Sequence, residues 1–464
     1  MGADMGFQQS RAGRIQAGTA VAVMLALAGA GCSSGLQPGA PVLTEPPGSA
    51  GLKATDHGVV WSLQQAGGRP AVVRSANSGR TWRIALSSRK ISSRLVASYF
   101  LGPANAWVVQ AHPRRSGDGE VATITGTSDS GLAWWRSKPL PLDGIRSPGP
   151  ADYQIYFADP EHGWLLSAAT RLSAPSLARP GQAAREVLRL WRTIDGGHTW
   201  TTLPARTLPL QGRSVLRAGN GTGCPQQPQV TFANASAGWL TEGSCGSGPD
   251  GPLVWRTRSA GRRWVPARLT TPKGGWGGDP RSRGLRADVG PARVVNSRVS
   301  AVVLVPVTDG PRIVIEKSAD GGQTWTIAGQ VSTGTTAGTP AVCFDPLNMS
   351  QWVISARGEL IETANAGRTW TVHSSDMILA GAPVSFSSLN YGFLHVAGLA
   401  SAMITTNGGR TWTTEAVPIG SGPPGRAHAS SRARPRVSAG ASRRHTRMAT
   451  RLRADTRRSR CQCA

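Results

Sequence analysis

The sequence predicts an all-β fold, a propeller of seven four-stranded antiparallel blades, on the basis of three observations. The first is an octapeptide that recurs seven times along the chain. The second is a strand–turn–strand element that recurs independently between the octapeptides. The third is the composition: 58 Gly, 16 Trp and only 16% charged residues are typical of β-proteins with many tight turns and argue against a helical bundle.

The octapeptide is clearest at 318–325, where it reads Ser-Ala-Asp-Gly-Gly-Gln-Thr-Trp. Its seven copies occupy 75–82, 127–134, 193–200, 257–264, 318–325, 363–370 and 405–412. Two copies are degraded: 127–134 has lost the Thr, and 257–264 has lost both the Asp and the Thr. Their closing Trp residues lie about 40 to 70 residues apart, the length of one propeller blade with its loops.

The residue types of the octapeptide predict a self-bonded hairpin turn with an aromatic anchor. An Asp or Asn side chain accepts bonds from backbone N–H groups ahead of it, and the following Gly adopts a positive φ without strain. Thr starts the outgoing strand, and Trp packs against the neighbouring sheet. We therefore expect a structural staple and not an active site. The residues assigned to it are Asn77, Gly79, Trp82, Asp129, Gly131, Trp134, Asp195, Gly197, Trp200, Gly261, Trp264, Asp320, Gly322, Trp325, Asn365, Gly367, Trp370, Asn407, Gly409 and Trp412.

The second repeat is an apolar strand, a polar turn and a second strand that begins with an aromatic residue. Ile155 to Leu166 shows it most fully, with Gly163-Trp164 opening the second strand. Related segments start at Tyr99, Val230, Val342 and Val384. Each unit therefore reads as strand, turn, strand, polar loop, strand, octapeptide turn and strand, which is one blade.

The pattern Ser/Thr-x-Asp-x-Gly-x-Thr-Trp resembles the Asp-box or BNR repeat of sialidases, sortilin-type receptors and the photosystem II assembly propeller. The resemblance covers most of 51–420, and the layout is most similar to the photosystem II stability/assembly factor-like family. That family consists of exported, membrane-tethered propellers that act as binding scaffolds. The resemblance implies a protein-binding propeller here, whereas no residue indicates a photosynthetic partner.

The alternative is a carbohydrate-active propeller, either a sialidase-like exo-glycosidase or a lectin. Sialidases clamp a carboxylate with three Arg and use a Tyr–Glu nucleophile pair and an Asp acid/base. Their Phe/Tyr-Arg-Ile/Leu-Pro sequence is absent, and 68–70 and 311–313 depart from it. Convergence of three Arg and a Tyr–Glu pair at the channel mouth would favour the enzyme. Arg residues scattered over a broad, flat face would favour the scaffold.

No catalytic residue, metal or cofactor is assigned from the sequence. The eight His are scattered without metal-ligand spacing, and Cys461 and Cys463 are too close together for a usual zinc pair. Three of the four Tyr (Tyr99, Tyr156 and Tyr391) lie in the strand–turn–strand elements, where we interpret them as packing residues. The sequence thus favours a binding protein over an enzyme.

The N-terminus predicts export. Residues 1–31 have a basic start, an apolar run and small residues before Cys32, which is similar to the lipobox of bacterial lipoproteins. The similarity implies lipidation of Cys32 and attachment to the outer face of the cytoplasmic membrane. A Pro- and Gly-containing tether would follow over 32–50. If Cys32 is not lipidated, the same segment predicts a secreted protein.

Two further predictions concern the other cysteines and the C-terminal tail. Cys224 and Cys245 flank a strand pair of an exported protein and predict a disulfide, whereas Cys343 is expected to be a free core thiol. Residues 421–464 contain twelve Arg and almost no large apolar residue, which predicts disorder. Such a tail either meets an acidic surface or has no role, and it indicates no specific nucleic acid. The expected partner of the propeller is an envelope or membrane protein.

Overall fold

The computed structural model confirms the seven-bladed propeller of four-stranded antiparallel blades. It describes residues 51–55, 58–66, 69–87, 94–113, 120–141, 152–171, 184–209, 214–215, 228–241, 253–276, 287–296, 301–333, 342–356, 358–374, 384–395 and 401–416. Within these ranges the structure consists of strands, turns and a short 3-10 helix at Ala205–Thr207. None of their helices is long and apolar enough to cross a membrane.

Each blade is one continuous segment of the chain, with its strands ordered from the inner to the outer edge. Blade 1 contains β1 (Leu52–Ala54), β2 (Val60–Ala66), β3 (Arg69–Ser75) and β4 (Arg83–Leu86). Blade 2 contains β5 (Arg94–Leu101), β6 (Asn105–Pro113), β7 (Glu120–Thr127), β8 (Trp135–Arg136) and β9 (Leu140–Pro141). Blade 3 contains β10 (Asp152–Phe157), β11 (Gly163–Arg171), β12 (Ala184–Thr193), β13 (Thr201–Thr202) and β14 (Ser214–Val215).

The remaining four blades repeat this order. Blade 4 contains β15 (Gln229–Phe232), β16 (Gly238–Thr241), β17 (Leu253–Thr257) and β18 (Val265–Arg268). Blade 5 contains β19 (Asp288–Val289), β20 (Arg293–Asn296), β21 (Ala301–Asp309), β22 (Arg312–Ser318) and β23 (Thr326–Ser332). Blade 6 contains β24 (Val342–Pro346), β25 (Trp352–Ala356), β26 (Glu359–Thr363) and β27 (Thr371–Ser374). Blade 7 contains β28 (Val384–Phe386), β29 (Gly392–His395), β30 (Ser401–Thr405) and β31 (Thr413–Ala416).

Three blades divide one strand position between two short strands. In blades 2 and 3 the outer position is split, so that β8 and β9 both pair with β7, and β13 and β14 both pair with β12. In blade 5 the inner position is split into β19 and β20, which both pair with β21. Pro291 lies at that break, where the missing N–H of a proline removes no ladder bond.

The hydrophobic core lies between the blades. In the junction of blades 2 and 3, Trp107 stacks on Phe157 with ring centroids 3.6 Å apart. In the junction of blades 3 and 4, Trp164 stacks on Phe232 at 3.5 Å. Successive side chains of a strand point to opposite faces of its blade, and apolar residues occupy both faces. A neighbouring blade covers each face.

Blade 7 packs directly against blade 1 and closes the ring. Leu52 and Ala54 of β1 share a core cluster with Phe393 and Ile404 of blade 7. The backbone N–H of Ala54 donates to Ser385 Oγ at 3.0 Å. Closure therefore depends on packing and side-chain hydrogen bonds between the first and last blades, since every blade draws its strands from its own segment.

Candidate functional site

The hydroxyl at the first octapeptide position is bonded in the same way in every copy. Ser318 Oγ accepts the backbone N–H of Gly322 at 2.8 Å. The equivalent bond, from the Gly at position five, measures 2.7–3.1 Å at Ser75, Thr127, Thr193, Thr257, Thr363 and Thr405. Sequence reasoning emphasised the Asp and missed this hydroxyl, although Ser or Thr occupies the position in all seven copies.

The side chain at the third position accepts the backbone N–H of the seventh residue, as expected for a self-bonded turn. The distance is 3.0 Å for Asp320 and Thr324, and 2.9 Å for Asn365 and Thr369. In the degraded copy at 257–264, Ser259 Oγ accepts the N–H of Arg263 at 2.9 Å, so the bond survives without a carboxylate.

These bonds lower the pKa of the turn carboxylates. The hydroxyl and backbone N–H of Thr324, followed by Ser318, hold the pKa of Asp320 far below its usual range. The N–H of Ala133 and the hydroxyl of Thr127 lower the pKa of Asp129. Hydrogen bonds to the ionised form favour it, so these carboxylates stay charged and are engaged within their own turns.

Two consecutive residues of each turn have a positive φ, whereas the sequence predicted only one. Besides the Gly at position five, the fourth residue is left-handed, and it is Ser78, Ser130, Ala260 or Ala366 in four copies. The N–H of this fourth residue reaches the first turn of the same blade, as from Ala260 to Ser236 O at 2.8 Å. The octapeptides and the first turns therefore lie together on one face of the propeller, which we call the octapeptide face.

The closing Trp of each octapeptide packs against the preceding blade. Trp325 of blade 5 is 7% exposed and lies in the core shared with Trp239 of blade 4. Trp264 of blade 4 packs with Leu203 and Leu190 of blade 3. The octapeptide residues predicted from sequence thus occupy turns and inter-blade cores.

A ring of polar side chains lines the inner strands, one from each blade. It comprises Lys53, Tyr99, Tyr156, Thr231, Arg293, Asp345 and Ser385. In five blades this residue pairs with the aromatic residue of the second strand, as Tyr156 pairs with Trp164. Inner strands surround the central channel of a propeller, so this ring is the polar belt of the channel wall.

The members of the ring bond from blade to blade. Thr231 Oγ1 donates to Ala292 O at 2.9 Å, and Arg293 Nε donates to Phe344 O at 3.1 Å. Asp345 accepts the N–H of Phe386 at 2.8 Å and pairs with Lys53 Nζ at 3.3 Å. These groups hold neighbouring inner strands together.

The tyrosines continue this belt. The Tyr99 and Tyr156 rings lie 4.9 Å apart and are tilted by 52° relative to each other. Burial, followed by the neighbouring Tyr156, raises the pKa of Tyr99, while nearby Arg293 opposes the rise. Both hydroxyls are therefore protonated at neutral pH, and the two side chains pack as the sequence predicted.

The structure also forms a Tyr–Glu pair that sequence reasoning missed. The Tyr153 hydroxyl donates to Glu120 Oε2 at 3.3 Å. Tyr153 lies near the start of β10 and Glu120 at the start of β7, so the pair is on the edge opposite the octapeptide face. The two residues are 33 positions apart and belong to different blades, which left no local signal in the sequence.

The Arg at 311–313, considered as a departure from the sialidase sequence, is part of a turn. Arg312 pairs with the fully buried carboxylate of Asp309. Its guanidinium also donates to Lys273 O at 3.2 Å and to Gly275 O at 2.9 Å. Arg312 thus anchors the Gly-rich connection before blade 5 to the turn between β21 and β22.

Exposed side chains of two kinds stand on the octapeptide face. Leu132 is 79% exposed and Ile194 61% exposed, on the adjacent turns of blades 2 and 3. Exposed Arg residues are spread over the turns of blades 1, 4, 6 and 7, at Arg80, Arg258, Arg262, Arg263, Arg368 and Arg410. Arg residues on four of the seven blades are the arrangement that we expect of a binding surface, and three of the six lie on the single turn of blade 4.

Several sequence predictions lie outside the described residues. They are the lipidation of Cys32, the Cys224–Cys245 disulfide, the signal and tether over 1–50 and the tail over 421–464, and they stay predictions. Cys343 lies in β24 and is partly buried, whereas the sequence predicted a core position. Across the described ranges no group of three or more His, Cys, Asp and Glu residues could hold a metal ion.

Comparison with known proteins finds no matching family model and no matching curated protein. Among solved structures, the chain is similar to YCF48 from Cyanidioschyzon merolae at 14% identity and a TM-score of 0.40, over 77% of this chain and 92% of that one. A structure described as YCF48 bound to D1 peptide matches at 14% identity and a TM-score of 0.38, over 69% and 82%.

A third similar structure is the GH93 alpha-L-arabinofuranosidase of Fusarium graminearum with arabinobiose. It matches at 12% identity and a TM-score of 0.40, over 68% of this chain and 90% of that one. The predicted likeness to the assembly-factor propellers is thus found, at the level of the fold. At identities of 12–14%, the similarity to these structures assigns no activity to this chain.

Proposed function

We propose that this chain is an exported, lipid-anchored propeller that acts as a protein-binding scaffold through its octapeptide face. The observation that carries the proposal is the composition of that face, where Leu132 and Ile194 are exposed on blades 2 and 3 and Arg residues are exposed on blades 1, 4, 6 and 7. Large apolar side chains exposed on adjacent turns, on a face that also presents Arg residues, are typical of a protein-binding surface.

The arrangement of the other polar groups supports the same proposal. The ring around the channel is bonded from blade to blade, and the turn carboxylates are bonded within their own turns. The exposed side chains of the octapeptide face, in contrast, point to solvent and are available to a partner. The proposed attachment to the membrane rests on Cys32 and its flanking sequence.

The test is affinity capture from membranes of cells that express the tagged full chain. We expect the wild type to capture a membrane or envelope protein and the double variant L132D/I194D to lose it. The matched control is Val372→Asp, which places the same charge on a residue that is 45% exposed on the outer strand of blade 6. Equal capture by all three proteins would contradict the proposed surface.

The membrane anchor is tested separately with Cys32→Ser. We expect the wild type to partition with membranes and the variant to remain in the aqueous fraction. A variant that still partitions with membranes would contradict lipidation at Cys32.

A second candidate function is a glycosidase, for which the Tyr153–Glu120 contact supplies a Tyr–Glu pair, although Tyr153 is only 2% exposed and lies in the core between blades 2 and 3. A Tyr activated by a neighbouring Glu is the nucleophile pair of sialidases. The assay measures hydrolysis of fluorogenic sialosides by the wild type and by Tyr153→Phe. Hydrolysis that Tyr153→Phe abolishes, together with failure to capture any protein, would replace the scaffold with the enzyme.

A further inference from the structure

The octapeptide turn of blade 4 has the highest positive charge of the seven. Ser259 stands where the clearest copies have Asp, so the turn contains no carboxylate. The same turn contains Arg258, Arg262 and Arg263, and all three are exposed. Its backbone keeps the usual form, because Thr257 Oγ1 still accepts the N–H of Gly261 at 3.1 Å.

Two more guanidinium groups border this turn. Arg192 of blade 3 donates to Ala235 O at 3.2 Å, in the first turn of blade 4, and is thereby held at the octapeptide face. Burial, followed by the like charge of Arg262, lowers the pKa of Arg192. Arg256 lies two residues before Arg258 on β17 and is half-buried. We call these five residues the blade-4 cluster.

No carboxylate of the described residues forms an ion pair with any member of the blade-4 cluster. Elsewhere in the described structure cations do find such partners, as Lys53 pairs with Asp345 and Arg312 with Asp309. Arg258 instead donates to a backbone carbonyl, that of Asp320, at 3.4 Å. Crowded like charges repel one another, so an anionic group that binds among them relieves this repulsion.

We propose that the blade-4 cluster binds a segment of a partner protein in which carboxylates are clustered. The proposal rests on the scaffold function above and specifies the chemistry of its partner. Guanidinium groups suit such a segment because each can bind a carboxylate through two parallel N–H donors. The exposed position of three of the five residues makes them accessible to a partner without rearrangement of the turn.

The neighbouring blade favours a protein over an anionic membrane as the occupant. The first turn and the octapeptide turn of blade 3, on the same face of the propeller, contain Asp159, Glu161 and Asp195. A flat anionic bilayer that approached the cluster would also meet these carboxylates and be repelled. A protein segment can place its carboxylates on blade 4 and uncharged or basic residues on blade 3.

The test uses the full chain and an oligoglutamate peptide with a photoreactive group at one end. The double variant R262E/R263E reverses two charges of the cluster. The matched control R368E/R410E reverses two exposed Arg residues at the same octapeptide position, on blades 6 and 7. Since all three proteins keep the Arg-rich tail, differences between them report on the turns alone. Unchanged thermal unfolding of each variant verifies folding.

We expect R262E/R263E to weaken peptide binding about tenfold and R368E/R410E to weaken it about twofold or less. Photo-crosslinks should fall on residues 253–268. Equal losses in both variants, or crosslinks confined to 421–464, would show general attraction to a basic protein and overturn the proposal. Tighter binding to phosphatidylglycerol vesicles, with the same loss in R262E/R263E, would also overturn it in favour of a membrane.

Capture from membranes separates this proposal from the scaffold function. Loss of the captured partner in R262E/R263E, with thermal unfolding unchanged, supports both. A partner captured equally by wild type and R262E/R263E overturns the blade-4 proposal and leaves the scaffold function in place. Failure of every form to capture a protein counts against both.

Discussion

The turns of blades 4 and 5 have the same backbone but different side chains, and the difference separates what the fold requires from what it leaves open. In both, the first hydroxyl accepts the N–H of the Gly at position five, at Thr257 and at Ser318. In blade 5 a carboxylate then bonds the seventh residue, whereas in blade 4 Ser259 does so. The hydroxyl, the Gly and the Trp are therefore the common frame, and the third position is free to change.

The largest expected effect tests the part that both turns share. Trp325→Ala should lower the free energy of unfolding by about 3–5 kcal/mol, because it removes an aromatic ring from the core between blades 4 and 5. Trp264→Ala should fall at the lower end of the same range, since Trp264 is only partly buried. Denaturant unfolding measures both. A Trp264→Ala variant as stable as the wild type would show that the degraded turn no longer anchors its blade.

The residue two positions before each turn offers a second contrast. Blade 5 has Glu316 there, buried within the sheet, and blade 4 has Trp255. Burial raises the pKa of Glu316 to about 7. The folded state thus binds a proton more tightly than the unfolded chain, whose carboxyl titrates near its ordinary value. Stability from this group is present at acid pH and is lost as pH rises from about 4.5 to about 7.

Glu316→Gln should remove that loss. Between pH 4 and pH 8 the free energy of unfolding of the wild type should fall by about 2–3 kcal/mol relative to that of Glu316→Gln, because the variant has no proton to release. Unfolding at several pH values measures the difference between the two proteins, which cancels the titration of all other groups. If the free energy of unfolding changed with pH in the same way for both proteins, a buried, protonated Glu316 would be contradicted.

The hydroxyl at the first octapeptide position should contribute equally to the stability of the two turns. Thr257→Val and Ser318→Ala should each cost about 1–3 kcal/mol, because each leaves the buried N–H of a Gly without an acceptor. Thermal and denaturant unfolding of the pair test this. A cost at Ser318 alone would mean that the blade-4 turn has lost its frame together with its Asp.

The fold could be predicted because its signals are local and repeated. The turn residues and the closing Trp lie within eight positions of each other, and their spacing counts the blades. The inner position of blade 5 departs from the repeat, since β19 and β20 are interrupted at Pro291 and none of the strand–turn–strand segments predicted from the sequence lies there.

The candidate sites could not be predicted in the same way because they form between blades. Arg192 and Arg262 belong to different blades and become neighbours only when the ring forms. The ring around the channel has no common residue type, as Lys53, Thr231 and Asp345 show, so it leaves no motif. The three Arg at 258, 262 and 263 are visible in the sequence, but the repeat pattern identifies their segment only as a degraded copy of the octapeptide.

The side chain at the third octapeptide position should contribute less to stability than the hydroxyl, and its contribution should differ between the turns of blades 5 and 4. Asp320→Ala should cost about 1–2 kcal/mol through the lost bonds to the N–H groups of Gln323 and Thr324. Ser259→Ala removes a single bond to Arg263 N and should cost about 1 kcal/mol or less. Denaturant unfolding compares them. If Asp320→Ala abolished partner capture with unchanged melting, the staple interpretation of this carboxylate would be wrong.

The smallest effect on stability comes from restoring the missing carboxylate, and it separates stability from binding. Ser259→Asp should stabilise the chain by about 0.5–1 kcal/mol, because an ionised side chain accepts the Arg263 N–H more strongly and reduces the repulsion among the guanidinium groups. The same carboxylate should weaken binding of the oligoglutamate peptide, since it neutralises part of the blade-4 cluster. Unfolding and peptide titration on one protein sample test both changes. If stability rises and peptide affinity falls, the loss of Asp at this turn exchanges a hydrogen bond for a cationic surface; if stability rises and affinity stays constant, the cluster does not bind the peptide.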